Sequence, residues 1–119
     1  RVIVVFGCGG SRDRGKRPKM GLVVDQYADW AIVTSDNPRK EEPSAIIEDI
    51  KPGMPRGKYE VIVDRKEAIF KAIAMAQPRD IVLIAGKGHE KTQEFADYTI
   101  PFDDVAVASQ ALEGKRGEW

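Results

Sequence analysis

The stretch VIVVF at residues 2–6, with GCGG at residues 7–10 directly after it, decides the fold class of this chain. An unbroken β-branched and aromatic run is typical of a strand buried on both faces of a parallel sheet. Further short apolar runs at residues 31–34, 60–63 and 81–85 predict three more strands.

Helical patterns separate these strands. The first covers residues 18–28, where Met20, Val23, Val24 and Tyr27 form an apolar stripe. The second begins at Pro43, and the third follows Asp64, which is predicted to cap it. Alternating strands and helices predict a three-layer α/β sandwich with a Rossmann-like, open and mostly parallel sheet.

The last part of the chain is less regular. Residues 98–100 predict a short edge strand, and Asp103 or Asp104 is expected to cap a final helix that runs to Leu112. Residues 113–119 are polar and are expected to fray.

Composition limits the function. A length of 119 residues suits one compact domain, and 19 basic residues balance 19 acidic ones. The neutral chain argues against nucleic acid or a membrane surface as a partner. A single cysteine, Cys8, excludes an internal disulfide and fits the reducing cytoplasm, and no apolar run is long enough to span a membrane.

Three unusual loops each follow a predicted strand. They are loop one (residues 7–17), loop two (35–40) and loop three (86–90). Ligands of open α/β sheets bind beyond the carboxyl ends of the strands. The three loops are therefore expected to meet at one rim of the sheet and to form a binding site there.

Loop one is rich in glycine and in basic residues. Residues 10–16 match the start of a phosphate-binding P-loop, G-x-x-x-x-G-K, but Arg17 stands where Ser or Thr should hold magnesium. Its structural alternative is a solvated basic turn, which we favour for Arg14 and Lys19.

Loop two reads SDNPRK at residues 35–40. Arg39 offers a bidentate fork to a carboxylate, Asp36 accepts from an ammonium group, and Asn37 can donate or accept. The alternative for these residues is a plain Asp-Asn turn that ends at Pro38.

Loop three reads GKGHE at residues 86–90. Its glycines indicate close approach of the backbone to a neighbour, and Glu90 could receive an ammonium group. His89 is the single histidine, and with no second His or Cys nearby a metal site is not expected.

Taken in order, the stretches VFGCGG with RDRGKRP (residues 5–10 and 12–18), TSDNPR (34–39), AGKGHE (85–90) and FDD (102–104) resemble the C-terminal domain of the Mur ligases, specifically the MurE branch. The resemblance spans nearly the whole chain. It implies an enzyme that uses ATP and magnesium to activate a UDP-N-acetylmuramoyl dipeptide as an acyl phosphate, which the amine of a diamino acid then attacks.

The resemblance also implies site residues. The Asp-Asn-Pro-Arg motif marks the members that add meso-diaminopimelate, and members that add lysine differ at its Asn and Arg positions. The family's diaminopimelate contacts fall on Arg12, Asp36, Asn37, Arg39, Gly86 and Glu90. Ser11, where the family usually has Asp, and Asp13 are expected to face the nucleotide.

By the same resemblance, residues 1–119 are a partial C-terminal domain that lacks its first strand and helix. The central domain, with the ATP loop and catalytic lysine, and the N-terminal domain, which binds the UDP sugar, are not in this sequence. We therefore expect no catalytic residue, no metal ligand and no tightly bound cofactor here. The alternatives are a stand-alone amino-acid-binding module and a P-loop NTPase built on residues 10–16.

Overall fold

A computed structural model describes residues 1–87 and 89–116 of the chain. In chain order the elements are β1 (Val2–Phe6), α1 (Lys16–Tyr27), β2 (Trp30–Val33), α2 (Pro43–Ile50) with a single 3₁₀ turn after it (Lys51–Gly53), β3 (Tyr59–Val61), α3 (Arg65–Met75), β4 (Ile81–Ile84), β5 (Thr92–Glu94), β6 (Thr99–Pro101) and α4 (Asp104–Lys115).

The main sheet has four strands in the order β3-β2-β1-β4, and all its pairings are parallel. Side chains alternate between its two faces. Ile3, Val5 and Ile32 pack under α3 and α4 on one face. Val4, Phe6 and other apolar residues pack under α2 on the opposite face. The predicted three-layer α/β architecture with an open parallel sheet is confirmed.

Helix α3 forms as the sequence predicts. The Asp64 carboxylate accepts a hydrogen bond from the Glu67 backbone N–H at 3.0 Å and caps the helix. The apolar residues that recur at helical spacing from residue 68 to 76 are all buried: Ala68, Ile69, Ala72, Ile73 and Ala76. Asp103, one of the two predicted caps, accepts from the backbone N–H groups of Val105 and Ala106 in α4.

The predicted apolar face of α1 is wrong at three of its four residues, and only Val24 packs against the core. Met20, Val23 and Tyr27 are exposed, and Tyr27 keeps 78% of its surface in solvent. The helix instead buries Arg17, Gly21 and Asp25. A Cβ at Gly21 would lie 2.7 Å from the Ile50 carbonyl oxygen. Glycine at this position therefore allows α1 to pack against the end of α2 at a distance that any larger residue would prevent.

Strand β4 forms as predicted, but it is more exposed than β1. It lies at the edge of the sheet, with Ile81 62% and Leu83 52% exposed. On the face of the sheet to which Ile81 and Leu83 point, the two helices cover the neighbouring strands and leave β4 uncovered. The side chains of Ile81 and Leu83 therefore stay in solvent.

The end of the chain differs from prediction in three ways. The predicted edge strand at residues 98–100 is β6, which pairs antiparallel with β5 in a separate two-stranded sheet. Strand β5 itself was not predicted. Helix α4 continues beyond Leu112 to Lys115, so residues 113–115 are helical, and residues 117–119 of the predicted polar tail lie outside the described part of the chain.

Candidate functional site

The three loops meet at the carboxyl end of the parallel sheet. A Cβ at Gly7 would lie 2.2 Å from the Thr34 carbonyl oxygen, so loop one approaches loop two more closely than any other residue type would permit. Gly86, which has a φ of +118°, would place a Cβ 3.6 Å from the Gly7 carbonyl oxygen and 3.9 Å from the Asp36 carboxylate. The predicted convergence of the loops is therefore present in the structure.

Loop one is joined to loop two by backbone groups and by Arg39. The Gly10 N–H donates to the Asn37 carbonyl oxygen at 2.7 Å, and Arg39 Nη1 donates to the Gly10 carbonyl oxygen at 2.9 Å. A Cβ at Gly9 would lie 3.0 Å from Arg39 Nη1 and 3.4 Å from Arg12 Cγ. The two arginine side chains thus come together around Gly9.

Arg39 has a backbone conformation that non-glycine residues rarely adopt, with a φ of +52°. Its Nε donates to Glu94 Oε2 at 2.9 Å, and its backbone N–H donates to the Glu94 carbonyl oxygen at 3.0 Å. The half-buried guanidinium is therefore held against the β5–β6 hairpin. Such conformations are often retained where a side chain must point in a required direction.

Asn37 connects loop two with loop three. It is buried, and its Nδ2 donates to Glu90 Oε1 at 2.8 Å. Its Oδ1 accepts from Lys87 Nζ at 2.8 Å and from the Glu94 backbone N–H at 3.0 Å. The side chain therefore holds Glu90 and presents no free acceptor of its own.

Asp36 lies beside the same lysine, with 3.0 Å between Asp36 Oδ1 and Lys87 Nζ. Its backbone carbonyl accepts from Gln93 Nε2 at 2.8 Å. Asp36 therefore has a cationic partner within the protein. By contrast, Arg12 is exposed, and the hydrogen bond described for its side chain is a long one of 3.5 Å to the Ser11 carbonyl oxygen.

A second charged network supports loop one from behind. Arg17, 1% exposed, donates to the carboxylates of Glu41 and Asp49 and to the Gly9 carbonyl oxygen. The hydrogen bonds from Arg17 and from the Ser11 backbone N–H lower the pKa of Glu41 to about 2. This network fixes the path of loop one, which carries Arg12.

The same network argues against the P-loop interpretation of residues 10–16. The side chain of Arg17, at the position where Ser or Thr would hold magnesium, is buried and committed to internal carboxylates. Within residues 1–87 and 89–116 no three His, Cys, Asp or Glu side chains come together in a way that could hold a metal ion.

Ser11 and Asp13, predicted to face a nucleotide, are both exposed at the outer side of loop one. Asp13 Oδ1 accepts from the Gly15 backbone N–H at 2.9 Å, which closes a local turn. Ser11 has a φ of +55° and lines an open cavity of about 390 Å³ together with Arg39, Lys40 and Glu94.

A larger open cavity, of about 810 Å³, has Ser35, Arg65 and Phe95 in its lining and contains none of the predicted diaminopimelate contacts. Its size is therefore no guide to the site. The smaller cavity beside Arg39 lies where the charged groups of loops one and two meet, and we take it as part of the candidate site.

Four residues of the rim were missed by the sequence interpretation: Arg17, Lys87, Gln93 and Glu94. Burial of a charged side chain is the feature that singles out Arg17 and Lys87, which as whole residues are 1% and 3% exposed. In the sequence they look like ordinary basic loop residues. For Lys87 the signal was its place between two glycines directly after a strand.

Cys8 has no assigned role in the site. It is a buried free thiol near Met20, and burial raises its pKa to about 11. A thiol with a raised pKa is protonated at neutral pH and is a poor nucleophile. Among the described helices, none is long and apolar enough to cross a membrane.

The comparisons with known proteins agree with this fold and these loops. Residues 1–88 match the family described as Mur ligase, glutamate ligase domain. The chain belongs to this family.

Among its curated relatives are proteins named UDP-N-acetylmuramoyl-L-alanyl-D-glutamate--2,6-diaminopimelate ligase. The one from Syntrophomonas wolfei is 54% identical over 118 residues, which are 97% of this chain and 24% of that protein. The one from Coxiella burnetii is 58% identical over 114 residues, or 94% of this chain and 23% of that protein. The chain thus spans about a quarter of the length of these relatives.

A solved structure with the same ligase name superimposes with a TM-score of 0.92 at 45% identity. It covers 98% of this chain, and the match takes up 24% of the solved chain. The similarity therefore includes the arrangement of the four-stranded sheet and its flanking helices.

Proposed function

We propose that this chain is the C-terminal, amino-acid-binding domain of an ATP-dependent ligase of peptidoglycan synthesis. In this proposal the ligase adds meso-diaminopimelate to UDP-N-acetylmuramoyl-L-alanyl-D-glutamate in the cytoplasm, and this domain selects the diamino acid. The observation that carries the proposal is the meeting at one rim of the three loops that bear Arg12, Arg39 and Glu90, combined with relatives whose names contain this substrate.

The rim matches the charges of the far end of diaminopimelate, which carries one carboxylate and one ammonium group. Arg39 uses Nε and Nη1 for Glu94 and Gly10, so among the described contacts Nη2 remains for a ligand carboxylate. Arg12, which is exposed and whose Cγ lies on the same side of Gly9 as Arg39 Nη1, would supply a second guanidinium. Glu90, with one carboxylate oxygen held by Asn37, offers the other oxygen to the ammonium.

Selection against lysine follows from these charges. Lysine lacks the distal carboxylate, so it would leave the two guanidinium groups facing an apolar methylene. A site built to bind a charged group rejects an analogue without that group by polar mismatch rather than by size. Gly86 and Asp36 complete the proposed contacts on the side of loop three, where a Cβ at Gly86 would lie 3.9 Å from the Asp36 carboxylate.

The remaining parts of the reaction belong to other domains in this proposal. ATP, magnesium and the UDP-linked dipeptide would be held mainly outside residues 1–119. Ser11 and Asp13, at the outer side of loop one, would approach the nucleotide when the domains close.

The test is the Arg39→Ala variant of the ligase that carries this chain. Loss of a charged hydrogen-bond partner at a binding site costs roughly 2–5 kcal/mol, or about 30- to 5000-fold in affinity. We expect kcat/KM for meso-diaminopimelate to fall by a factor in this range while kcat/KM for lysine changes little. Steady-state kinetics with both amino acids measures the change in preference.

Arg14→Ala is the matched control. Arg14 is an arginine of loop one, but it is largely exposed and pairs with Asp49. It should leave the preference unchanged. Calorimetric titration of the chain with meso-diaminopimelate, lysine and ATP adds an independent arm. An unchanged preference in Arg39→Ala would refute the assignment of the carboxylate site.

A further inference from the structure

Lys87 is the most completely buried lysine side chain of the described rim, with 0% of it exposed. A buried ammonium group is unfavourable unless acceptors surround it. Three oxygens do so here. Nζ lies 2.8 Å from Asn37 Oδ1, 2.9 Å from the Thr92 carbonyl oxygen and 3.0 Å from Asp36 Oδ1. The first two contacts are hydrogen bonds and the third is an ion pair, so oxygens of the fold surround the ammonium group.

This arrangement forces the orientation of the Asn37 side-chain amide. An ammonium group and a backbone N–H can only donate, and both Lys87 Nζ and the Glu94 N–H point at the same atom of Asn37. That atom must be the amide oxygen. The amide nitrogen is then directed at Glu90 Oε1, 2.8 Å away, where it donates to the carboxylate.

Glu90 is exposed, and its side chain is held in the structure by this hydrogen bond. A reversed amide would turn an oxygen toward the carboxylate and repel it. The direction of the Glu90 carboxylate thus depends on Asn37, and the direction of Asn37 depends on Lys87.

We propose that Lys87 is a positioning residue, which fixes the Asn37 amide so that the Glu90 carboxylate is presented to the distal ammonium of the diamino acid. This inference rests on the function proposed above and deepens it. Lys87 does not touch the substrate, and its effect on binding passes through Asn37 and Glu90.

The first experiment needs no ligand. In NMR spectra of the 119-residue chain, the two side-chain amide protons of Asn37 should be well separated and slow to exchange with solvent. In Lys87→Met they should approach the positions and exchange rates of a solvated asparagine. Lys91→Met is the matched control, because Lys91 is four positions away, is 75% exposed and pairs with Asp103 instead.

The second experiment measures binding of two ligands by the ligase that carries this chain. The ligands are meso-diaminopimelate and 2-aminopimelate, which lacks only the distal amine. Lys87→Met should weaken diaminopimelate by about tenfold or more and change 2-aminopimelate much less, since a hydrogen bond to a charged group contributes about 1.5–3 kcal/mol. Lys91→Met should leave the ratio of the two dissociation constants unchanged.

Equal weakening of both ligands, or an Asn37 amide in Lys87→Met that is unchanged, would overturn the inference. If Lys87→Met does not melt cooperatively, Lys87→Arg replaces it; its guanidinium also only donates, so the Asn37 amide signal and the ratio of the two dissociation constants should either both be kept or both be lost. A wild-type amide signal with a changed ratio, or the reverse, in folded Lys87→Arg would also overturn it. If the wild-type protein binds no diaminopimelate, the proposed function fails. The amide spectra then remain as the test of whether Lys87 orients the Asn37 amide.

Discussion

Arg65 and Arg39 are both paired with a carboxylate near the rim, but they differ in burial. The Arg65 side chain is 0% exposed and contacts Asp104 at 2.7 Å, whereas the Arg39 side chain is 23% exposed and its partner Glu94 is 45% exposed. Arg65 also donates to the carbonyl oxygens of Ser35 and Ala85, which lie just after β2 and β4. The first pair fixes the strand ends, and the second is open enough for a ligand carboxylate to join.

The difference teaches that charge alone does not identify a binding residue in this domain. In the buried Arg65–Asp104 pair, each guanidinium nitrogen of Arg65 donates to an oxygen of the fold. The Arg39–Glu94 pair holds a guanidinium in place while part of it faces solvent. Arg17, a buried arginine with half-buried carboxylates, lies between the two cases.

The strongest test of this comparison is Arg65→Met. Removing one partner of a buried pair leaves an uncompensated charge and costs about 3–5 kcal/mol, so the free energy of unfolding should fall by that amount. Chemical denaturation of the chain measures it. Arg116→Met, which removes an exposed pair with a 3.6 Å separation, should change stability by less than about 0.5 kcal/mol. Equal effects of the two variants would contradict the distinction.

The Arg17 network, which is intermediate in burial between these two pairs, is tested by varying the pH. The pKa of Glu41 is lowered from its ordinary value of 4.5 to about 2, chiefly by the hydrogen bond from Arg17. A lowered carboxyl pKa contributes stability above pH 4.5, and that stability is lost as the pH falls from about 4.5 toward 2. Glu41→Gln should therefore show a shallower loss of stability over this range.

Unfolding midpoints of wild type and Glu41→Gln between pH 7 and pH 2 provide the measurement. Some slope should remain in the variant, because the pKa values of Asp49, Asp80 and Asp103 are lowered as well. Glu113→Gln, at a largely exposed position, should keep the wild-type slope. A wild-type slope in Glu41→Gln would show that the Arg17 network does not contribute to acid stability.

The smallest expected effect concerns the backbone of Arg39. Arg39→Gly and Arg39→Ala both remove the side chain, but only glycine adopts a φ of +52° without steric cost. Arg39→Gly should be more stable than Arg39→Ala by about 1 kcal/mol, as measured by denaturant unfolding. The reverse order, which is normal at an ordinary φ, would show that loop two relaxes when the side chain is lost.

Local signals in the sequence were sufficient for some elements and misleading for others. Helix α3 was predicted with its cap and buried face because Asp64 and the Ala/Ile repeat are adjacent in sequence. Helix α1 has similar apolar spacing, yet Gly21 allows close packing on another face. Strand β5 has the sequence Thr-Gln-Glu, which carries no strand signal; its backbone and side chains are fixed by hydrogen bonds to residues 36, 37 and 39.

The candidate site divides in the same way. The loops with Arg12, Arg39 and Glu90 could be placed at one rim because the carboxyl ends of parallel strands share one edge. The residues that contact those loops could not be predicted. Lys87 and Asn37 are 50 residues apart in the chain, and Arg65 and Asp104 are 39 apart, so no local pattern connects them.

The sequence by itself determined the alternation of strands and helices, the parallel sheet and the three loops at its carboxyl edge. Hydrophobic periodicity and turn residues act over a few neighbouring positions, so they can be recognised in the sequence alone. Only the tertiary structure decided which charged side chains are enclosed, which carboxylate each of them contacts and which face of α1 is buried. Those choices depend on distances of about 3 Å between residues that folding brings together, and burial then gives each pair its strength.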